Sequence, residues 1–259
     1  MPPMRFYHRQ SGEHISVWDE GQLDAPHDQP DKAGRVRRMF DAIAPTYELL
    51  NRLASAGRDA FWRREMVRLA RVRPDDVLLD VACGTGDVAR AFAAARVRPK
   101  RIVGVDFAVQ MLRLAADRPI RGGLFAQGDA LRLPVVDGSV SIVTCAFGIR
   151  NFQDLSAGLR DMHRVLRAGG RAVILEFAVP ASAVLRRLYL LYFNRIMPAL
   201  ATLVSRDRSG AYRYLPRSVL SFPGDEAIRS ALMSAGFANV AIHRRSCGIV
   251  ALYVAVKAC

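Results

Sequence analysis

The sequence predicts an α/β fold: a doubly wound, mostly parallel sheet that closes with a C-terminal antiparallel hairpin. Three observations predict it. From Val77 onward, short apolar runs of strand length alternate with stretches of helical periodicity, the pattern of βαβ units. The first run ends directly in a glycine turn, Gly84-Thr85-Gly86. The last two runs are joined by only a short turn, which suits an antiparallel pair.

The elements follow in order. Residues 1–34 are polar, rich in Asp, Gln, His, Pro and Gly, and lack apolar periodicity; they read as a flexible tail, and residues 35–259 as the folded domain. Val36, Met39, Phe40, Ile43, Tyr47, Leu50 and Leu53 recur at helical spacing, with Pro45 forcing a break between two short helices. A further helix runs through Phe61, Trp62, Met66, Leu69 and Ala70. Then the period switches. Val77–Val81 is a buried strand introduced by Pro74-Asp75-Asp76, and a helix from Val88 to Ala95 follows the glycine turn. Ile102–Asp106 is the second strand, followed by a helix through Met111, Leu112 and Ala115. Leu124–Gln127 and Val140–Phe147 are the third and fourth strands. A helix over about Asp154–Leu166 ends at Gly169-Gly170, a helix C-terminal signal, before a fifth strand at Ala172–Phe177. Residues 181–221 break the alternation and read as a helical insertion over the carboxyl edge of the sheet. A helix at Asp225–Ala235 and strands at Val240–Arg245 and Ile249–Val256 close the chain.

Composition narrows the function classes. Of 259 residues, 38 are Lys or Arg and 24 Asp or Glu, a formal net charge of +14, and 51% are apolar. One substantial core is expected. The longest charge-poor apolar stretch, Ala181 to Ser205, is interrupted by Arg186, Arg187 and Arg195, so no membrane span is expected. The N-terminus lacks the apolar core of a secretory signal and carries Glu13, Asp19, Glu20, Asp24, Asp28 and Asp31, unlike a transit peptide. A cytoplasmic protein is expected. Cys83, Cys145, Cys247 and Cys259 form no metal-ligand spacing, and neither a metal nor a disulfide framework is expected. The basic charge reads as a solvated arginine-rich surface, or as attraction to an anionic membrane face. No nucleic-acid motif accompanies it.

The sharpest local feature is Asp80-Val81-Ala82-Cys83-Gly84-Thr85-Gly86-Asp87. Glycines let the backbone approach a ligand, and the helix that follows presents free N–H groups. Asp106 ends the next strand 20 residues after Gly86, where a carboxylate can accept both ribose hydroxyls. Two cofactors compete. Gly84 to Ala89 formally satisfies the dinucleotide pattern G-x-G-x-x-G/A. S-adenosylmethionine is favoured by Asp80 just before the turn, by Asp129-Ala130 after the third strand, and by the terminal hairpin. Asp80 suits a cationic methionine group better than a pyrophosphate. Asp129 can bond the adenine amine. Tyr253-x-x-x-Lys257 matches an oxidoreductase pattern but lies in the last strand and is taken as chance. The plain alternatives are a turn cap for Asp80, turn residues for Asp106 and Asp129, and packing for Cys83.

Several blocks resemble the ubiquinone/menaquinone biosynthesis C-methyltransferase family, over about Val36 to Lys257. They are Phe40 to Asn51 with Ser55, Gly57 and Trp62; Leu79 to Asp87; Ala146-Phe147-Gly148-Ile149-Arg150-Asn151-Phe152; Arg164 to Gly170 through Phe177; Tyr212-Arg213-Tyr214-Leu215-Pro216-Arg217-Ser218-Val219; and Gly248 to Leu252. The resemblance implies a class I, Rossmann-like methyltransferase fold using S-adenosylmethionine. It implies methyl transfer to a ring carbon of a polyprenylated quinol. By matching position it implies cofactor contacts at Thr85, Asp106, Asp129 and Ala130, and it puts Ala146 near the cofactor; Asp80, Gly84 and Gly86 join the candidate cofactor site from the reading of the turn itself. It implies Arg150 and Asn151 beside the reacting ring. Asp59 stands where a His is usual, Glu48 for Asp, Ala146 for Ser, Ala168 for Pro and Ala178 for Ser.

Carbon methylation needs an ionised phenol to make the ortho carbon nucleophilic. Arg150 and Asn151 are expected to hold the quinol oxygen, the guanidinium lowering its pKa; a surface or sheet-edge ion pair is the plain alternative for Arg150. Arg stays protonated and is a poor base, so a water or Tyr47 is expected to carry the proton. Tyr189, Leu190, Leu191, Phe193, Ile196 and Met197, interleaved with arginines, are expected to form a substrate lid or lie on a membrane; a buried helix or homodimer contact is the alternative.

Overall fold

The computed structural model describes residues 17–196 and 210–259. Four helices precede the sheet: Glu20–Asp24 (α1), Lys32–Ile43 (α2), Tyr47–Ala54 (α3) and Asp59–Ala70 (α4). Pro45 sits in a single 3₁₀ turn, Ala44–Thr46, between α2 and α3, where its ring cannot continue an α-helix.

Of the segment expected as tail, residues 17–34 are folded. Asp19 and Gln22 form a reciprocal capping box on α1, which satisfies two N-terminal backbone donors. Trp18 and Leu23 are fully buried and join Val36, Met39, Met111 and Tyr214 in one apolar cluster. A five-residue helix is too short to show apolar periodicity, so composition alone reads it as loop. Residues 1–16 lie outside the described residues.

The alternation becomes a seven-stranded sheet. Val77–Val81 (β1), Arg101–Asp106 (β2), Gly123–Gln127 (β3), Val140–Ala146 (β4) and Leu166–Phe177 (β5) are parallel. Phe237–Arg245 (β6) and Val250–Lys257 (β7) form the terminal antiparallel pair, with β7 beside β5, giving the order β3-β2-β1-β4-β5-β7-β6. Between the strands lie Asp87–Ala93 (α5), Val109–Ala116 (α6), Leu155–Val165 (α7), Ala183–Leu191 (α8), Ala211–Leu220 (α9) and Asp225–Ser234 (α10).

Strand alternation divides the core. Leu78, Ile142, Val173 and Leu175 face Trp62 and Phe92 from α4 and α5. Their neighbours Leu79, Val143 and Ile174 face Leu159 and Met162 of α7 and Ile228 and Leu232 of α10. Each such side chain contributes roughly 1.5–3 kcal/mol on burial, against about 0–1 kcal/mol for an exposed ion pair. The two-faced core therefore outweighs the arginine-rich surface.

Gly169-Gly170 does not cap α7. The helix stops at Val165, and the two glycines lie inside β5. There the register slips, Val140 pairing with Leu166 but Ile142 with Arg171. Gly169 takes φ +67°. Glycine serves a strand irregularity as readily as a helix end, so the local signal was the same. In the expected insertion, α8 and α9 are helical, and Pro216 lies inside α9. Met197 lies outside the described residues.

Candidate active site

The sheet reverses strand order between β1 and β4, the chain continuing from β1 to β2 on one side and from β4 to β5 on the other. Ligands of doubly wound sheets bind at such a switch point. A cavity opens at this place, lined from the turn after β1 by Ala82 and Gly84 and from β2 by Asp106 and Phe107. Gly128, Asp129, Ala130 and Leu131 line it after β3, and Ala146, Phe147, Gly148 and Asn151 after β4. Phe40 and Tyr47 cover it from the N-terminal helices.

The glycine turn is built for close approach. Gly86 takes φ +84°, and a Cβ there would lie 2.9 Å from Phe125 Cζ. A Cβ on Gly148 would lie 2.6 Å from Cys145 Sγ and 2.8 Å from Ala82 Cβ. Both positions need glycine for different reasons, the first mainly for backbone conformation and the second for space.

Asp106 ties two segments of the site together. Its Oδ2 accepts from Gly84 N at 2.8 Å and its Oδ1 from Ala108 N at 2.9 Å. Burial pushes its pKa up to about 6, although the backbone N–H donors oppose the rise. Asp80 lies deeper. Thr144 Oγ1 donates to its Oδ1 at 2.8 Å, while its Oδ2 is buried without a hydrogen-bond partner. Burial raises Asp80 to about 7, the Thr144 hydroxyl opposes this, and the Asp106 charge adds to it. Thr85 is also buried, and its hydroxyl has no partner. Asp129 is exposed at the cavity and uses Oδ1 to accept from Leu131 N at 2.9 Å.

Tyr47, Gly84, Asp106, Asp129, Ala130, Ala146 and Asn151 are thus brought together around one cavity. Asp80, Thr85, Gly86 and Arg150 do not line it. Arg150 is the main departure from expectation. Its Nη1 donates to Glu176 Oε1 at 2.6 Å and to the Phe147 carbonyl at 2.7 Å. Both side chains of the ion pair are almost completely buried. A guanidinium taken out of water goes to the nearest buried carboxylate, because an unpaired buried charge is far costlier.

Phe147 explains what Arg150 does there. It lines the cavity at φ +57°, a conformation that costs a bulky residue about 1–3 kcal/mol. Its N–H donates to Leu175 O at 2.7 Å. Its carbonyl accepts from Arg150 and, at 3.2 Å, from Asn151 Nδ2. Asn151 Oδ1 in turn accepts from the buried Tyr214 hydroxyl at 2.9 Å. Behind Phe152, the buried Lys32 donates Nζ–H to the Phe152 carbonyl at 2.6 Å and contacts His27 Nδ1 at 3.2 Å. Burial lowers Lys32 to about 8, and the Arg150 charge adds to the shift.

Glu176, Thr144, Tyr214 and Lys32 were missed as site residues. An acid inside the apolar run Val173 to Phe177 was the available signal for Glu176. Tyr214 lies in a block already singled out. Tyr253 and Lys257 serve elsewhere: the tyrosine donates to Asp225 Oδ1, and the lysine to the carbonyls of His163 and Leu166. Among the described residues no group of His, Cys, Asp and Glu is arranged to hold a metal ion.

The parallel sheet with β7 inserted antiparallel, the glycine turn after β1 and the acid ending β2 define a class I methyltransferase. Solved structures of similar fold include a SAM-dependent methyltransferase of Thermotoga maritima (TM-score 0.58, 17% identity, 85% of this chain and 99% of that one). The [4+2]-cyclase SpnF is also similar (TM-score 0.59, 16% identity, 87% and 96%). Identities this low speak for the fold alone. Residues 28–257 match the ubiE/COQ5 methyltransferase family, and the chain belongs to that family. Its curated relatives include the ubiquinone/menaquinone biosynthesis C-methyltransferase UbiE of Geotalea uraniireducens, 41% identical over 233 residues (88% of this chain, 98% of the relative). The demethylmenaquinone methyltransferases of Deinococcus radiodurans and Thermus thermophilus are 46% and 44% identical. These alignments span 81% and 83% of this chain and 88% and 98% of the relatives.

Proposed function

We propose that the protein transfers a methyl group from S-adenosylmethionine to a ring carbon of a polyprenylated quinol in menaquinone or ubiquinone biosynthesis. The observation that carries this reading is one cavity with Asp106 and Asp129 on one side and Asn151 with Phe147 on the other. The names of the relatives support the acceptor class.

The residues present fit the cofactor. Asp106 keeps lone pairs for ribose hydroxyls beyond those it gives to Gly84 and Ala108. Asp129 would accept from the adenine amine, with Ala130, Leu131 and Met111 as apolar walls. Asp80 is buried before the turn and does not line the cavity, so it would favour a cationic ligand through its charge and not by contact. When bound, S-adenosylmethionine supplies an electrophilic sulfonium methyl, so the chain's own task is alignment and proton removal.

On the acceptor side, Asn151 offers one amide N–H to the quinol oxygen, stabilising its ionised form. Arg150 acts from behind the wall. Glu176 offsets much of its charge, so its main contribution is to hold the strained Phe147 carbonyl. One proton leaves overall: the hydroxyl proton departs first, the ring carbon that receives the methyl group then loses its own to restore aromaticity, and the oxygen is reprotonated. Tyr47 lies over Gly84, and burial raises its pKa despite a bond to Asn51. It therefore relays a proton to water rather than acting as the resting base.

The apolar tail of the acceptor points to a peripheral site on the cytoplasmic face of a membrane. No helix among the described residues is long and apolar enough to cross one. α8 exposes Val184, Leu188 and Leu191 next to Arg186 and Arg187, which suits an anionic lipid surface. The deciding assay is transfer of tritiated methyl from S-adenosylmethionine to demethylmenaquinol by the purified protein. Label in the lipid extract is the expected result. Absence of label with every quinol offered would overturn the reading.

A further inference from the structure

Asn151 is held from two sides. A carbonyl can only accept, so the atom facing Phe147 O must be the amide nitrogen. The atom facing Tyr214 is therefore Oδ1, and the Tyr214 hydroxyl must be the donor. One of the two amide hydrogens is spent on Phe147, which leaves one for the cavity. The Phe147 bond is the looser restraint, 3.2 Å to a carbonyl that Arg150 already satisfies at 2.7 Å. The Tyr214 bond is tighter at 2.9 Å and buried.

Tyr214 is itself held by the folded N-terminal segment. The Trp18 ring stacks on it at 4.6 Å with an interplanar angle of 26°. Glu20 and Asp24 of α1 pair with Arg213 and Arg217 on either side of it in α9. His27 Nε2 donates to Ser218 O at 2.8 Å on the same helix. The chain of contacts runs from Trp18 through Tyr214 to Asn151 and ends at the cavity.

We propose that Tyr214, clamped by Trp18 and α1, is a positioning residue that aims the Asn151 amide at the oxygen of the acceptor ring. This rests on the quinol-methylation reading for its consequence but not for its geometry. Removing the hydroxyl leaves the amide free to turn and present its oxygen, which repels a phenolate. The ring oxygen then ionises less readily, while the cofactor end of the cavity is untouched.

The test is Tyr214→Phe, which keeps the ring and its stack, together with Asn151→Ala and the double variant. Two readouts are needed. The first is the Asn151 side-chain amide signal of the ¹⁵N-labelled ligand-free protein, assigned by its loss in Asn151→Ala. A discrete signal pair in the parent that shifts and broadens in Tyr214→Phe is expected; an unchanged pair overturns the proposal whatever the substrate. The second is methyl transfer. Tyr214→Phe should lower kcat about tenfold or more, move the acidic limb of the rate profile to higher pH, and leave S-adenosylmethionine affinity unchanged. In the double variant the loss should equal that of Asn151→Ala alone. Losses that multiply, or an unmoved profile, overturn it. A parent protein inactive on every quinol would sink the functional reading, and the amide signal would still decide this one.

Discussion

Arg150 Nη1 lies 2.6 Å from Glu176 Oε1, and neither side chain is more than 6% exposed. The β4–β5 register sets this pairing, with Ala146 opposite Leu175. Breaking a buried ion pair by removing one partner costs roughly 3–5 kcal/mol, a large share of the stability of an ordinary domain. Glu176→Gln should show that loss in urea unfolding, and a loss under about 1 kcal/mol would contradict the burial argument. Arg150→Ala should lower kcat/KM by well over about threefold, because the Phe147 carbonyl loses its closer donor.

Asp106→Asn keeps the size of the side chain and removes its charge. A hydrogen bond to a charged group contributes about 1.5–3 kcal/mol, so S-adenosylmethionine should bind roughly ten- to a hundredfold more weakly. Titration calorimetry measures it. Unchanged affinity would remove Asp106 from the cofactor site.

Cofactor affinity should depend on pH. Burial raises Asp106 to about 6 and Asp80 to about 7, and a cationic ligand prefers both ionised. Affinity should therefore be full above pH 7 and fall as pH drops through 7 and then 6. Near pH 7 binding should release a fraction of a proton, which calorimetry in buffers of different ionisation enthalpy detects. Proton uptake would mean that the cation sits elsewhere. For the ligand-free fold the sign is opposite. Both pKa values lie above their unfolded values, so these groups favour the fold at low pH, and that contribution is lost as pH rises through 6 and 7.

Trp18 is fully buried. Trp18→Ala should cost roughly 3–5 kcal/mol if its cluster cannot collapse, which for a chain of this size lowers Tm by about 10 °C. Thermal unfolding followed by circular dichroism checks it. An unchanged Tm would mean that residues 17–34 contribute no stability as a folded segment.

The exposed face of α8 gives a prediction independent of catalysis. The protein should float with phosphatidylglycerol vesicles at low salt, less so at high salt, and not with phosphatidylcholine vesicles. Replacing both Leu188 and Leu191 with Glu should abolish flotation while methylation of a short-chain acceptor continues. Failure of the parent to float at low salt would remove the membrane reading.

Much of this was legible in the residues themselves. Continuous apolar runs of strand length and apolar positions at helical period marked β1 to β5 and most helices, because burial of strands on both faces and of helices on one imposes those patterns locally. The glycine turn and Asp106 were legible because close backbone approach and a strand-end acid are short-range demands. Gly169-Gly170 was misread because glycine marks a departure from regular structure without saying which. Trp18 and Leu23 looked like tail residues because their partners, Met111 and Tyr214, are distant in the chain.

The sequence by itself determined the class of fold, the glycine turn and the family. Those rest on periodicity, local sterics and blocks of neighbouring residues. Only the tertiary structure decided that Arg150 turns to Glu176 instead of the cavity, and that the Tyr214 hydroxyl bonds Asn151. A long side chain can swing several ångströms from one backbone position. Its direction is chosen by which buried charge or donor the folded chain brings within reach, and that choice is made between segments with no local signal linking them.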